Sequence, residues 1–180
     1  KMAWISEDLD EMGGLDAYAA RDLPLLGRFF SGQGYQRNLG VSFGQNIYTP
    51  EDTDAEKLVE DDRPYAGFTY LAFAIHRKNR RLLDTLELTL GIVGPASLAE
   101  ETQDTVHDII GSDEARGWDY QLENEPGLVL TFQRNWRLAA AESEGGWGWD
   151  LIPHLGATVG NVGVFANAGA GLRFGYHIPL

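Results

Sequence analysis

The stretch RNLGVSFGQNIY, residues 37–48, decides the fold. Leu39, Val41, Phe43 and Ile47 are apolar, with Gln45 the exception, and Asn38, Gly40, Ser42, Gly44 and Asn46 between them are small or polar. An alternation of period two is that of a strand with one greasy face. LLDTLELTLGIVG (82–94) repeats it, setting Leu82, Leu86, Leu88, Leu90 and Ile92 against Thr85, Glu87, Thr89 and Gly91. GLVLTFQRNWRL (127–138), GWGWDLIPHLGATV (146–159) and NVGVFANAGAGLRFGYHI (161–178) do the same, whereas YAGFTYLAFAIH (65–76) is apolar on both faces.

These strands run to about 10–14 residues, roughly twice the length usual in a globular sheet and long enough to cross a bilayer at a tilt. The expected fold class is therefore all-β, an antiparallel β-barrel with a short helical insert. A glycine-rich polar face lines the lumen, and an aliphatic face meets lipid or a soluble core. Tyr48, Tyr65, Trp136, Trp147, Trp149 and Tyr176 fall near strand ends, where an interfacial aromatic girdle is expected. A soluble sandwich or lipocalin-like barrel stays open on pattern alone. Non-strand segments are few: an acid- and glycine-rich connection containing a helix-like LPLLGRFF (23–30), an acidic loop TPEDTDAEKLVEDDRP (49–64), and PASLAEETQDTVHDIIG (95–111).

Composition narrows the function. Glycine supplies 22 of 180 residues where roughly 7% is usual, in keeping with many strands and close backbone contacts. A formal net charge of −13 argues against a nucleic-acid partner but allows a phosphorylated ligand held through a divalent cation. No cysteine is present, so thiol catalysis, disulfides and cysteine-based zinc sites are all excluded. No run approaches the about 20 apolar residues of a membrane helix, which says nothing against a membrane barrel. KMAWISEDLDEMGG carries no apolar signal-peptide core.

Three groups of residues could carry chemistry. In TQDTVHDII the spacing predicts a helix, bounded by Pro95 and Ser97 at its start and Gly111 at its end. Glu100, Gln103 and Asp104 share a face with His107, while Val106, Ile109 and Ile110 form the opposite face, expected to pack on the barrel. His76 and His177 read as solvated strand-end residues, and His154 as a lumen residue. In EDDRPYAG (60–67), Asp61, Asp62 and Arg63 stand where a loop meets a rigid strand. In WDYQLENEPG (118–127), amides and acids lead into the next strand; oxygen-rich donors of this kind suit calcium rather than a transition metal. Each group also reads as solvated surface. A G-x-S-x-G elbow and an H-E-x-x-H zinc motif are both missing.

Read in order, FGQNIYTPED (43–52), DDRPYAG (61–67), GIVGPASLAEETQDTVHDIIGS (91–112) and GWDYQLENEPGL (117–128) resemble the outer-membrane lipid A 3′-O-deacylase (LpxR) family, from about Leu39 to Trp136 and more weakly beyond. The resemblance implies a barrel in the outer membrane of Gram-negative bacteria, with lipid A (lipopolysaccharide) and outer-membrane lipids as partners. It also implies a calcium-dependent hydrolysis of the ester carrying the 3′ acyl chain. The family's Q-x-x-x-H helix carries over to Gln103 and His107, His107 as general base, closed by Gly111. A family carboxylate six residues on falls at Asp113, where the pattern has Glu; Glu114 is adjacent. Asp62 and Arg63 match a substrate-binding or supporting Asp-Arg, and Gln103 and Asp113 are the calcium ligands implied. The family's opening Asn-Asp strand, its D-R-x-Y-T-x-G segment and its closing strands have no counterpart, so the chain is expected to be a single incomplete barrel domain of about six or seven strands with a helical insert near 96–111. The alternative is a barrel of the same fold with a structural or lipid-binding role and no catalysis.

Overall fold

The computed structural model describes residues 1–9, 34–143 and 145–178; the expected LPLLGRFF helix lies outside them. Eight strands form one antiparallel sheet: β1 (Met2–Ile5), β2 (Gln36–Tyr48), β3 (Ala66–Lys78), β4 (Leu82–Val93), β5 (Glu125–Trp136), β6 (Ala139–Glu142), β7 (Trp147–Gly160) and β8 (Phe165–Tyr176). Each pairs with its sequence neighbour, except that β5 and β6 both lie along the same edge of β7, with β8 on its other edge. The fold is a curved half-barrel, the antiparallel architecture expected from the alternation, with eight strands, two of them only four residues long, where about six or seven were expected. Its six long strands run from 12 to 14 residues.

The register sorts the two faces. Gly40, Ser42 and Gly44 stand opposite Ala74, Ala72 and Tyr70 on the concave side. There, close packing demands small residues: a Cβ on Gly44 would lie 2.5 Å from Tyr70 Oη. Val41, Phe43, Leu71, Phe73, Leu88, Leu90, Leu128 and Leu130 share the convex face and are exposed. So continuous an apolar surface is costly in water and is the surface a membrane barrel offers to lipid. No helix among the described residues is long and apolar enough to cross a membrane.

Between β5 and β6, Asn135 faces His154 while Ala139 faces Leu151, four steps against three. The extra residue is a bulge at Arg137–Leu138, which re-aims side chains at a barrel rim. It turns Arg137 inward onto Asp150, 2.9 Å away and fully buried, where Arg173 completes a lumen ion cluster. His154 faces the lumen too, opposite Gly169, as the alternation expects.

The aromatic girdle holds only in part. Trp147 stacks on Phe174 and meets Tyr176 edge-on along the convex face, with Trp149 beside them. Tyr48, however, lines the barrel mouth and Tyr65 is buried against Trp118. Near a strand end, parity and local packing decide whether an aromatic meets lipid or plugs a junction.

Leu88 and Glu87 should therefore respond oppositely to change. Leu88→Arg, placing a cation mid-strand against hydrocarbon, should cost about 2–4 kcal/mol of stability, read from urea unfolding in lipid vesicles. Glu87→Gln on the lumen side should shift it by less than about 1 kcal/mol. Equal losses would reverse the assigned faces.

Candidate functional site

The site grows out of the β4–β5 connection at one end of the barrel. The chain leaves β4 through Gly94, whose left-handed φ of 92° suits glycine, makes a 3-10 turn over Pro95–Ser97, and enters helix α1 (Ala99–Ile110) through Leu98. Leu98 itself sits in the left-handed region at φ 56° and ψ 34°, a position unusual for a branched residue and a local strain. Ser97, expected at the helix start, precedes the N-cap Leu98, and no side chain caps the helix. Ser97 is buried in the junction instead, and its carbonyl accepts hydrogen bonds from Gln45 Nε2 (2.8 Å) and Thr69 Oγ1 (2.6 Å).

Gln45 and Thr69 face each other in register on the convex side, the side that elsewhere carries Val41, Phe43 and Leu71. The helix start is thus fastened to the outside of the barrel wall, not to its lumen. Gly67, on the same face, makes the contact possible: any Cβ there would collide with Ser97 Oγ and Ala99 Cβ. Ala99, Tyr65 and Trp118 close a small core with Ile47 and Ala115 against it, the Tyr65 and Trp118 rings 4.9 Å apart.

Val106, Ile109 and Ile110 do not pack on the barrel as expected; they are 47%, 78% and 67% exposed. The polar side of α1 meets the wall and the greasy side points away. An interfacial helix behaves this way, its apolar face turned to the acyl boundary, and a helix docked outside the barrel stands at that boundary.

On the inward face the sequence candidates are joined to specific partners. His107 Nδ1 lies 2.6 Å from the main-chain oxygen of Asp113. A carbonyl only accepts, so Nδ1 carries the proton and Nε2 is left with its lone pair. Gly111, left-handed at φ 69° and ψ 36°, ends the helix and turns the chain back, its N–H and that of Ser112 bonding to His107 O. The Asp113 carboxylate itself is not the partner. Gln103 Oε1 accepts from the indole N–H of Trp118 at 3.0 Å, and Gln121 Nε2 reaches Glu100 Oε2 at 3.5 Å.

Negative charge gathers here. Burial, then Asp104, Glu101 and Asp119, pushes the Glu100 carboxyl above its ordinary value, and Asp104 Oδ1 is buried with no hydrogen-bond partner among the described residues. Such an orphan marks a place for water or a cation. The donors are oxygens throughout, the chemistry a hard cation takes, although no three His, Asp or Glu side chains converge among the described residues.

Asp62 and Arg63 are placed elsewhere. Asp62 accepts from the main-chain N–H of Glu51 (2.6 Å) and of Arg63 (2.7 Å), bonds that lower its pKa in that order. It staples the acidic loop to the start of β3. Arg63 lines a cavity of about 290 Å³ at the barrel mouth with Tyr48, Phe68, Glu125 and Asn161, and no residue of α1 takes part in that wall. The structure brings Gln103, His107 and the Asp113 carbonyl to one side of one helix and leaves this pair apart. Trp118 and Thr69 were not singled out by sequence, though Gln45 had stood out as the one polar break in a greasy row.

The family described as "Outer membrane protein LpxR" matches residues 1–180. No curated protein matches. Among solved structures, "LpxR from Salmonella typhimurium" superposes with a TM-score of 0.70 at 22% identity, covering 94% of this chain. This chain spans 62% of that structure's length.

Trp118→Phe should keep the ring contact with Tyr65 and lose only the indole hydrogen bond, costing about 1 kcal/mol of stability by denaturant titration; Trp118→Ala should cost about 3–5 kcal/mol. Glu100 titrates with a raised folded pKa, so it destabilises the fold progressively as pH rises from the ordinary carboxylate range through that raised value. Glu100→Gln should therefore raise the melting temperature at pH 7 and leave it unchanged near pH 3.5. A lower melting temperature at pH 7 would contradict the burial of charge at this face.

Proposed function

This chain belongs to the outer membrane protein LpxR family, and on that premise we propose that its α1 site is the hydrolytic centre of a lipid A deacylase, acting on the ester of the 3′ acyl chain. The protein is an outer-membrane half-barrel, so a lipid substrate reaches the site along the membrane plane. The observation that carries the reading is the Nδ1–H bond from His107 to the Asp113 carbonyl, made on a helix docked against the lipid-facing wall.

The bond fixes the tautomer a general base needs. Nε2 takes a proton from water as the water oxygen bonds to the ester carbonyl carbon; the C–O bond to the sugar then breaks and the imidazolium returns that proton to the departing sugar oxygen. A free acid and a 3′-hydroxyl result. Because the orienting partner is a main-chain oxygen, the Asp at position 113, where the family pattern carries Glu, leaves this role intact. Gln103, held by Trp118, positions the face beside the base.

Calcium is the proposed cofactor, with Gln103 Oε1 and the Asp113 carboxylate as ligands from this chain and the unpartnered Asp104 Oδ1 as a further oxygen nearby. When bound, it would polarise the ester carbonyl and offset the negative charge of the face. Asp62 and Arg63 serve as supporting residues, Asp62 by holding the loop and Arg63 by presenting a guanidinium at the barrel mouth.

The second reading is a barrel that binds lipid without cleaving it, favoured by the separation of Arg63 from the helix face. Mass spectrometry of lipid A incubated with the full-length protein separates the two. The proposed enzyme removes one acyl chain; His107→Ala should lower kcat by about 10²–10⁴-fold with the barrel still folded, Gln103→Ala should cost less, and chelation should stop turnover until Ca²⁺ is restored. Unchanged deacylation by His107→Ala, or by wild type in excess chelator, would overturn it.

A further inference from the structure

We propose that the barrel rim opposite α1 holds a site for the phosphodiester headgroup of an anionic glycerophospholipid. The site is a cavity of about 510 Å³ between the Asn79–Arg81 turn and the Arg137–Leu138 bulge, lined by Arg80, Arg81, Trp136, Arg137, Leu138 and Ala140.

Charge is the first argument. The chain is strongly acidic, and the two connections at the α1 end (49–65 and 94–124) carry fifteen Asp and Glu against three Lys and Arg. The opposite end reverses that balance: Arg77, Lys78, Arg80, Arg81, Arg134 and Arg137 cluster at the β3–β4 and β5–β6 junctions. Several of these cations are neutralised. Arg77 and Arg134 clamp the fully buried Asp84 at 2.5 and 2.6 Å, Lys78 reaches Asp8 at 2.7 Å, and the bulge turns Arg137 onto Asp150. Arg80 and Arg81 are exposed, and among the described residues neither is bridged to a carboxylate. Each guanidinium presents a planar fork of N–H donors that matches phosphate oxygens, and both residues line the cavity.

Depth is the second argument. Trp136 lies on the lipid-facing side, opposite Leu82, and the Trp147, Phe174 and Tyr176 cluster lies at this same end. Aromatic rings of this kind sit at the headgroup level of a bilayer. The arginines therefore stand where phosphates stand, and on the same face, beyond the Arg134–Asp84 pair, Phe132 and Leu130 are exposed as an apolar track for acyl chains. A free phosphate would make no use of that track. The leaflet follows from the proposed function: with lipid A at the α1 end, this rim meets the opposite, glycerophospholipid leaflet. Short turns such as Asn79–Arg81 are usual on that side. Basic pockets at headgroup depth select anionic lipids, which would fix the height of the barrel in the membrane.

Native mass spectrometry of the full-length protein, given equimolar phosphatidylglycerol and phosphatidylethanolamine, tests this. Wild type should retain phosphatidylglycerol in preference, and Arg80→Gln with Arg81→Gln should reduce that preference about thirtyfold, roughly fivefold per arginine. Lys57→Gln at the other end should leave it unchanged. Folding is checked by the heat-modifiable gel shift; if the double variant lacks it, the single variants should each show their fivefold share. His107→Ala should keep the full preference, so loss of the proposed catalysis and loss of this site are separately visible. Equal retention of both lipids by wild type, an undiminished preference in the folded variants, or complete displacement by millimolar inorganic phosphate would overturn the proposal.

Discussion

The carbonyl oxygen of Ser97 is the fastening on which the candidate site depends. Two side chains from adjacent strands, Gln45 and Thr69, donate to it, and they do so from the face of the sheet that is otherwise given to lipid. Without that tie the 3-10 turn would have no reason to fold back on the wall, because a polar carbonyl beside hydrocarbon needs partners. Gly67 supplies the room and Gln45 and Thr69 the partners. From this one junction follow the docking of Ala99, the small core around Trp118, the orientation of Gln103, and the direction in which α1 presents His107.

The same junction explains why α1 is built backwards by the standards of a soluble domain. Its polar face meets the barrel and its Val106, Ile109 and Ile110 face out. Inside a membrane boundary, burial in lipid replaces burial in a core, so an amphipathic helix has two places to put its apolar side. Carboxylates held under the helix, Glu100 and Asp104, lose hydration without gaining cations from the described residues. That unmet charge is the electrostatic reason to look for a divalent ion here. The opposite rim shows the complementary arrangement, with arginines at the level of the aromatic belt.

Much of this was legible before any coordinates. Period two in residues 37–48 and its repeats located the strands, their lengths and which side chains share a face, because side-chain direction in a strand follows from parity alone. The helix and its closing Gly111 followed from spacing, and His107 with Gln103 from the Q-x-x-x-H pattern. What parity cannot say is where a distant segment lands. Gln45 looked like a flaw in a greasy row until Ser97, 52 residues away, gave it a function. Trp118 lay within a quoted motif yet went unmarked, since its indole acts on a helix 15 residues upstream. Asp113 was read as a carboxylate, whereas the contact to His107 uses its main chain, which no side-chain pattern can reveal.

The central claim is that the fold holds His107 as a base with a bare Nε2. Nitrogen-15 NMR of the histidine-labelled protein in micelles at pH 8, with the signal assigned by its loss in His107→Ala, reads the tautomer directly. The account predicts a protonated Nδ1 and an unprotonated Nε2 for this ring, with the Nδ1 proton protected from solvent exchange by its bond to Asp113. A ring protonated at Nε2 instead, or one exchanging freely between both forms, would contradict it.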